Sequence, residues 1–578
     1  MQNRLKDTSP LKTVATIKGI LGGLGVPTVE NWYESNLPNL YSVRITIAES
    51  DIGVNGKGAT KDLALASGYG EFIERWQNGL LPSALTGDVK WRRFGCVDIS
   101  CADLIAKSPI VLSIVRAMGA GETVPAQSPS DVFEKLRKWP GLHDLAMSDT
   151  VSSVPFLDVG HKSNVFVPSA LLDSYGSHGM AAGNTYKEAL VQAISEIFER
   201  YCQRVILRRR LCPPLIPRSY IFEHFPEIGA YVDAIEAEGS TTVSIRDCSL
   251  GSGFPVYCVT MVNRQTQAYS VVFASHPNAS VAMERLFTEA FQGRSTKEFV
   301  NSIERKPLPE PFNTNSIFKY STGAYPFEFW SGRTSYEWDP SVIQAEFSDN
   351  DRAFAACRSF CEKKGFHICV RDVGYLGFPA VHVVIPGLSE IFGCDENTLN
   401  YRETLRSVLS KLGKVDEMPR DDQELAFNII DFSRKMGLAG DADLGRYFTG
   451  DGWALKGEEK AVGFLVLLSI QIGYTAKGGV LSQRLGKMLG EARGGVVFRC
   501  AGTLLECVSD GLGLDAAYSV ALQFYPPQVC EKARSFIGQR LCSLVRKHAV
   551  LERPSSNIDF DALWHAAASF EPQVGRGI

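Results

Sequence analysis

The chain carries one acidic helical pattern more than once, and this repeat limits what it can fold into. The segments Ala59–Trp76 (ATKDLALASGYGEFIERW) and Asn184–Tyr201 (NTYKEALVQAISEIFERY) align without gaps. Each has a polar face and an opposite face that is largely apolar, as in an amphipathic helix. A fainter third copy, Ala282–Gln292 (AMERLFTEAFQ), keeps the spacing. The pattern predicts a core built by internal duplication.

The repeated helices place carboxylates on one face. Glutamates at positions i and i+3 lie about 60° apart around a helix, so both side chains leave it on the same side. The polar stripe is longer than this pair and contains almost no lysine, which ordinary solvated faces use freely. Its positions are Ser67, Glu71, Glu74 and Asn78 in the first copy, Glu188, Gln192, Glu196, Glu199 and Gln203 in the second, and Arg285, Glu289 and Gln292 in the third.

Such a face has two interpretations. A single glutamate pair beside an arginine is commonly a solvated ion-pair cluster that contributes a few tenths of a kcal/mol, roughly. Three copies, each preceded by small residues, favour a binding site instead. Carboxylates suit Mg²⁺, and guanidinium groups suit phosphate oxygens, so the pattern predicts a nucleoside triphosphate site. The accompanying basic residues are Lys57, Arg75, Arg200, Arg285 and Arg294.

The surrounding patterns predict an α/β (α+β) core over residues 1–395, followed by an all-helical domain over residues 396–578. The core is expected to repeat a strand–loop–acidic-helix unit, unlike a P-loop or Rossmann sheet. Glycine-rich loops are predicted at Asp51–Thr60 and Tyr175–Thr185. Predicted strands are Leu40–Ala48, Val256–Asn263, Tyr269–Ala274, His367–Asp372 and Pro379–Ile385. Predicted helices outside the repeat are Ser9–Leu24, Glu424–Lys435, Glu458–Ile472, Leu481–Leu489, Leu514–Gln523, Cys530–His548 and Asp559–Phe570.

Bulk composition is that of a globular protein with more than one domain. The chain has 578 residues, of which 45% are hydrophobic and 21% are charged. Its net charge of −4 argues against broad nucleic-acid binding. The most hydrophobic run, Ala461–Ile472, is too short to span a bilayer and predicts a buried helix. The start lacks the apolar core of a signal peptide, so we expect a cytoplasmic protein without membrane contact.

The cysteine and histidine patterns add little. None of the fourteen cysteines forms a CxxC pair, which predicts reduced thiols and no zinc or iron–sulfur site. Among nine histidines, His276 is the first candidate for a site role, because it lies between a predicted strand and the third helix. His178, in the second glycine-rich loop, comes next.

Three stretches together resemble the YcaO family. They run from Lys57 to Arg75, from Ala182 to Arg200 and from Ser275 to Gln292, and their order and flanking residues match over roughly residues 1–395. The helical remainder is similar to the tail of the stand-alone member of that family. The resemblance implies an ATP-binding fold unrelated to P-loops. It also implies use of MgATP to phosphorylate the oxygen of a backbone amide, with release of ADP and phosphate.

The resemblance assigns roles to individual positions. The residues expected to hold Mg²⁺, directly or through water, are Glu71, Glu74, Glu188, Glu196 and Glu199. The residues expected to contact ATP or support its site are Lys6, Thr13, Ser67, Arg75, Asn184, Gln192, Arg200, Arg285 and Glu289.

Three functions remain open at this point. The stand-alone type implies an accessory factor for β-methylthiolation of a small-subunit ribosomal protein, with that protein and a methylthiotransferase as partners. The ending FEPQVGRGI has a single proline, unlike many azoline-forming relatives, and we expect no peptide-binding domain before the core. Both features favour the stand-alone type over a peptide cyclodehydratase or thioamide synthetase. The third alternative is a nucleotide-sensing scaffold with incidental hydrolysis. A homodimer through the helical domain is expected.

Overall fold

The fold is taken from a computed structural model. Apart from short gaps, it describes residues 5–100, 150–293, 312–391, 411–436, 458–541 and 558–572, with isolated residues at 103–114 and 404–455. The chain divides into two compact units. The first comprises Met1–Asp395 and Arg553–Ile578, and the second comprises Glu396–Glu552.

The strands described in the first unit form three sheets, and every pairing is antiparallel. One sheet has the order β1–β2–β3 and a second has the order β8–β9–β10. The central sheet runs β4–β5–β11–β12–β7, and β6 also pairs with β5. The strands are β1 (Thr28–Trp32), β2 (Tyr41–Ile47), β3 (Gly53–Gly58), β4 (Val97–Ser100), β5 (Thr150–Asp158), β6 (Ser163–Pro168), β7 (Met180–Ala182), β8 (Thr241–Asp247), β9 (Val256–Asn263), β10 (Tyr269–Ser275), β11 (Cys369–Asp372) and β12 (Ala380–Val384).

The longer helices fall into two sets. Those of the first unit are α1 (Pro10–Gly23), α2 (Lys61–Gln77), α3 (Leu80–Thr86), α4 (Ser169–Tyr175), α5 (Tyr186–Arg209), α6 (Arg218–His224), α7 (Pro226–Glu236), α8 (Ala279–Ala290), α9 (Asn350–Lys363) and, near the C-terminus, α16 (Phe560–Ala568). Those of the second unit are α10 (Arg420–Met436), α11 (Glu458–Gln471), α12 (Thr475–Leu489), α13 (Gly495–Ser509), α14 (Leu514–Ala521) and α15 (Pro527–Ile537).

The predicted repeat is present as three strand–turn–helix units. Helices α2, α5 and α8 begin within four residues of the ends of β3, β7 and β10. Thr60 and Thr185 cap the first two helices, because their side chains accept from the backbone N–H of Leu63 and Glu188. Asn278 occupies the corresponding position before α8. The sequence therefore identified both the duplication and the helices that carry it.

The first predicted glycine-rich loop is instead mostly a strand. Residues Gly53–Gly58 form β3, and their glycines let α2 lie directly against the strand. A Cβ on Gly56 would stand 2.2 Å from the carbonyl oxygen of Ala64 and 2.7 Å from the Cα of Gly68. The second predicted loop likewise contains the short strand β7. Glycine at these positions reflects close packing as well as turns.

The second unit is helical, as predicted, and is built around the hydrophobic run at Ala461–Ile472. Most of α11 is buried, and its side chains share one core with α10, α12, α13 and α15. Helix α13 was not predicted, because the glycines around its start conceal its apolar period. The predicted helix Cys530–His548 is observed as α15, and its part beyond residue 541 lies outside the described residues.

Helix α16 groups with the first unit, whereas the sequence analysis assigned all residues after 395 to the helical domain. Trp564 meets Trp91 edge to face at 5.5 Å between ring centroids, and Phe560 meets the same tryptophan at 5.9 Å. Leu563 is buried in the core that contains α1 and α2. These apolar contacts explain why the segment belongs with the first unit.

Two of the predictions concern membrane-spanning helices and the state of the cysteines. No helix in the described part of the chain is both long enough and apolar enough to cross a membrane. Every cysteine within the described residues is a free thiol, and most are buried, as expected for small hydrophobic side chains.

Candidate functional site

Carboxylates from α2, α5 and α8 interact in one cluster. Glu74 and Glu199 are almost fully buried, with 9% and 8% of their surface exposed. Glu71 and Glu196 precede them by three residues, on the same helix faces, and are about a quarter exposed (28% and 25%). Electrostatic interactions connect Glu74 with Glu196, and Glu199 with Glu289 on α8. The structure thus brings together acidic residues that are far apart in the sequence.

Arginines on the same helices pair with these acids. Arg75 Nη1 donates to Glu74 Oε1 at 2.6 Å, and its Nη2 donates to Glu71 Oε1 at 3.3 Å. Arg200 makes a longer contact, 3.9 Å from its Nε to Glu199 Oε1. Arg75 therefore bridges the two acidic positions of α2, while Arg200 contacts Glu199 and interacts electrostatically with Glu196 on α5.

A third group of contacts links β3 to the end of α8. Lys57 forms an ion pair with Glu289 and donates from Nζ to Gln292 Oε1 at 2.9 Å. Arg285 Nη2 also donates to Glu289, at 3.4 Å. Gln292, in the turn after α8, donates from Nε2 to Glu71 Oε2 at 3.4 Å. Contacts of Lys57 and Gln292 therefore connect the first and third acidic helices within the cluster.

Glu188 lies in a separate group near the N-terminal segment. Lys6 Nζ donates to its Oε1 at 2.9 Å, and Asn184 Nδ2 donates to its Oε2 at 2.9 Å. Thr13 Oγ1 donates to Asn184 Oδ1 at 2.7 Å. Glu188 precedes Glu196 by two turns, about 12 Å along the helix axis. Of the five acids predicted to hold metal, Glu188 alone has this neighbourhood.

The two remaining predicted residues, Gln192 and Ser67, lie on α5 and α2. Gln192, one turn after Glu188 on α5, accepts from Arg285 Nη1 at 2.9 Å. Ser67 is half-buried, one turn before Glu71 on α2. The middle part of each predicted stripe thus belongs to the cluster, whereas Gln203 at the end of the α5 stripe donates to the Tyr325 hydroxyl instead.

Burial acts differently on the individual carboxylates of the cluster. Burial raises the pKa of Glu74 well above its usual range, and burial together with the charge of Glu289 raises the pKa of Glu199 to about 7. Burial also opposes ionisation of Glu196, but the nearby imidazole of His178 and the charges of Arg200 and Arg75 outweigh it and lower its pKa. A cation close to Glu74 and Glu199 would therefore favour their ionised forms.

Two residues, Lys57 and His178, are closer to the cluster than the sequence predicts. Lys57 is one of the basic residues that accompany the acidic pattern and is not among those expected to contact ATP, yet its side chain is in the cluster through Glu289. His178 was ranked after His276, but its Nδ1 lies 3.9 Å from Glu196 Oε1. Both of its ring nitrogens are buried without a hydrogen-bond partner among the described residues. His276 has a structural role, since its Nδ1 accepts from the backbone N–H of Asn278 at the start of α8.

A family model described as "YcaO cyclodehydratase, ATP-ad Mg2+-binding" matches residues 55–389, which is more than half of the chain. The chain belongs to the YcaO family. The match includes the acidic helices α2, α5 and α8. Because the YcaO family binds ATP and Mg²⁺, these are the cofactors of the chain.

Two bacterial proteins are similar in sequence. The ribosomal protein S12 methylthiotransferase accessory factor YcaO of Escherichia coli (strain K12) is 28% identical over 471 residues, covering 76% of this chain and 77% of its own. An uncharacterized protein of Haemophilus influenzae is 29% identical over 414 residues, covering 68% of this chain and 66% of its own.

Solved structures give more distant similarities. A heterocyclase in complex with substrate and cofactor has 17% identity and a TM-score of 0.47, covering 67% of this chain and 54% of its own. YcaO from Methanopyrus kandleri, bound with AMPPCP and Mg²⁺, has 16% identity and a TM-score of 0.41, covering 67% of this chain and 93% of its own.

The residues of the cluster fit the two cofactors. Glutamate and amide oxygens are hard ligands, which suit Mg²⁺. The raised pKa values of Glu74 and Glu199 indicate that a cation would stabilise their ionised forms. The adjacent guanidinium and ammonium groups can hold phosphate oxygens. The donor set is therefore compatible with a nucleotide and its metal in one place.

Proposed function

We propose that the chain binds MgATP where α2, α5 and α8 converge and uses it to activate a backbone amide of a protein or peptide. When bound, MgATP would supply a phosphoryl group to the amide oxygen and leave as ADP. A nucleophile of the substrate or of a second substrate would then add to the amide carbon with loss of its proton, and the phosphorylated oxygen would leave as phosphate. The observation that carries this proposal is the cluster itself, in which buried carboxylates with raised pKa values lie beside guanidinium groups.

The proposal divides the site residues by charge. Glu71, Glu74, Glu196 and Glu199 hold Mg²⁺, either directly or through water. Cationic residues position the phosphate oxygens and balance their charge, and the neighbours of Glu188 contact the rest of the nucleotide. The proposed cationic set is Lys57, Arg75, Arg200 and Arg285. The proposed set for the rest of the nucleotide is Lys6, Thr13 and Asn184 in the group of Glu188, together with Gln192 on α5 and Ser67 on α2. In this scheme, Glu289 orients Lys57 and Arg285.

For the biological role, we propose an accessory factor in β-methylthiolation of a small-subunit ribosomal protein in the cytoplasm. The sequence similarity to the Escherichia coli accessory factor supports this proposal, since it covers 77% of that protein. The partners would be the ribosomal protein and a methylthiotransferase. We propose a homodimer through the helical unit, which multi-angle light scattering of the purified chain would test.

The metal and nucleotide site is tested by calorimetric titration with MgATP. Glu71→Gln and Glu199→Gln each remove one charge with little change of volume, and each should weaken binding by at least about tenfold. Glu362→Gln is the matched control, because Glu362 also pairs with an arginine on a helix but is solvent-exposed. If both site variants bind MgATP as the unmodified chain does, while their circular dichroism is unchanged, the proposed site is wrong.

The biological role is tested by intact-mass analysis of ribosomal proteins from a strain that lacks the gene. Loss of one methylthio group from a small-subunit protein is expected. Complementation with the Glu199→Gln variant should leave the group absent, whereas Glu362→Gln should restore it. An unchanged mass of every ribosomal protein would exclude this role. A peptide that loses the mass of one water only when the gene is present would favour the cyclodehydratase alternative.

A further inference from the structure

Asp158, His161 and His367 form a cluster that does not share residues with the acidic site. Asp158 ends β5, His161 lies in the turn that follows, and His367 precedes β11 by two residues. The Oδ2 atom of Asp158 lies 3.0 Å from Nδ1 of each histidine. The two imidazole rings are stacked, with centroids 5.1 Å apart and planes 14° apart. Two nitrogens and one oxygen thus converge on one point.

The backbone fixes the carboxylate before any ligand arrives. Asp158 Oδ1 accepts from the backbone N–H of Gly160 at 2.9 Å and from that of His161 at 3.2 Å. Strand pairing sets Asp158 opposite Cys369, which brings His367 alongside. The Asp158 side chain is only 5% exposed, whereas the side chains of His161 and His367 are 66% and 47% exposed. The cluster is therefore anchored on the protein side and reachable from solvent.

The spacing suits a tetrahedral transition metal. Zn²⁺ binds imidazole nitrogen and carboxylate oxygen at about 2.0–2.2 Å, which puts neighbouring ligand atoms roughly 3.3 Å apart. The two Nδ1–Oδ2 separations are 3.0 Å, and the three ligand atoms all lie within 4.8 Å of one another. Small ring rotations would complete the geometry. Two imidazoles with one carboxylate favour Zn²⁺ over Mg²⁺, which prefers oxygen ligands.

We propose that Asp158, His161 and His367 bind one Zn²⁺ ion, with water in the fourth position. Binding through Nδ1 requires each neutral ring to carry its proton on Nε2. The exposed imidazoles can present that N–H to water. The bound ion ties the β5–β6 turn to the start of β11 in the central sheet. The expectation of no zinc site came from the cysteine spacing, and no cysteine takes part here.

The site is tested by titrating the metal-free, full-length protein with Zn²⁺ in a calorimeter. Excess Mg²⁺ is present, so that it competes with Zn²⁺ for the acidic cluster. The unmodified chain should bind one equivalent. His161→Ala and His367→Ala should each weaken this event by at least about tenfold. His565→Ala is the matched control, because His565 is an exposed histidine elsewhere in the first unit and should leave the titration unchanged.

Two further measurements separate ligation from nonspecific binding. Co²⁺ should give the visible absorption of a tetrahedral site in the unmodified chain and not in His161→Ala. Zn²⁺ should raise the melting temperature of the unmodified chain and of His565→Ala but not that of His161→Ala. MgATP affinity should stay the same in all three variants. Absence of Zn²⁺ binding by the unmodified chain, or equal binding by His161→Ala and His565→Ala, would overturn the proposal.

Discussion

Glu390 shows how a buried carboxyl group outside the candidate site affects stability. It is fully buried at 0% exposure. Its Oε1 accepts from the Tyr175 hydroxyl at 2.9 Å, and its Oε2 accepts from the backbone N–H of Gly387 at 2.8 Å. Burial nevertheless raises the pKa of Glu390 to about 7, because these donors only partly replace water. At a pH between the unfolded pKa of 4.5 and the folded pKa of about 7, Glu390 is therefore protonated in the folded protein and ionised in the unfolded chain.

This difference predicts the sign of a pH effect. Between the unfolded pKa of 4.5 and the folded pKa of about 7, the folded state binds more protons, so Glu390 lowers stability as the pH rises. Glu390→Gln removes this titration. The free energy of unfolding of the variant, relative to the unmodified chain, should increase by about 2 kcal/mol from pH ~5 to pH ~8. Urea denaturation at both pH values measures it.

The exposed Glu362→Gln variant provides the control for this titration. Its difference from the unmodified chain should be nearly the same at both pH values, because Glu362 is solvent-exposed. Any fixed cost of replacing a hydrogen-bonded oxygen in Glu390→Gln cancels when the two pH values are compared. A difference for Glu390→Gln that does not change with pH would contradict the raised pKa.

At the residue scale, the sequence revealed site residues that follow a helical period and missed those that do not. Glu71 and Glu196 belong to regular stripes, so their convergence could be predicted from the repeat. Lys57 lies on a strand, and its partner Gln292 is 235 positions away. His178 lies in a turn. The local sequence around Lys57 and His178 does not predict their tertiary contacts, because these contacts depend on how the sheets bring distant segments together.

At the scale of elements, the contact between β3 and α2 depends on a glycine. A Cβ on Gly56 would lie 2.2 Å from the Ala64 carbonyl oxygen, so strand and helix would have to separate. Gly56→Ala should lower the free energy of unfolding by about 1–3 kcal/mol. It should also weaken MgATP binding, since α2 carries Glu71 and Glu74. Urea denaturation and calorimetry measure the two effects.

Gly70→Ala, in the middle of α2, is the matched control. A Cβ there would have no heavy atom within 4 Å beyond its chain neighbours and the helix's own backbone. The same substitution should therefore stabilise the protein by about 0.5–1 kcal/mol, because alanine favours the helix more than glycine does. Equal effects of the two substitutions would show that close packing at β3 is not what requires glycine.

Regular elements could be predicted where the apolar period was strong. Strand β9 was predicted at Val256–Asn263 and is observed with the same bounds. Strand β3 (GVNGKG) was interpreted as a loop, because three glycines obscure its alternation. Helix α13 was missed for a similar reason. In both places glycine serves packing between neighbouring elements, which a local pattern cannot distinguish from a turn.

At the scale of the whole molecule, the chain forms two compact units and returns to the first one near its end. The core of the second unit is drawn from residues between 408 and 541. Leu563 of α16 is buried with α1 and α2 in the first unit. The sequence does not predict that α16 packs in the first unit. A short helix that follows a run of helices has no local pattern that identifies the core it packs against. The division of the chain into two units therefore depends on tertiary contacts.

The return of α16 predicts which unit each substitution destabilises. Trp564 is half-buried against Trp91, so Trp564→Ala should destabilise the first unit by about 2 kcal/mol. Phe536, fully buried between Trp453 and Phe498, is the matched position in the second unit. Calorimetric scans identify the first unit's transition as the one that MgATP shifts upward. Trp564→Ala should lower that transition alone, and Phe536→Ala should lower the other. If Trp564→Ala instead lowers only the transition that MgATP does not shift, α16 belongs to the second unit.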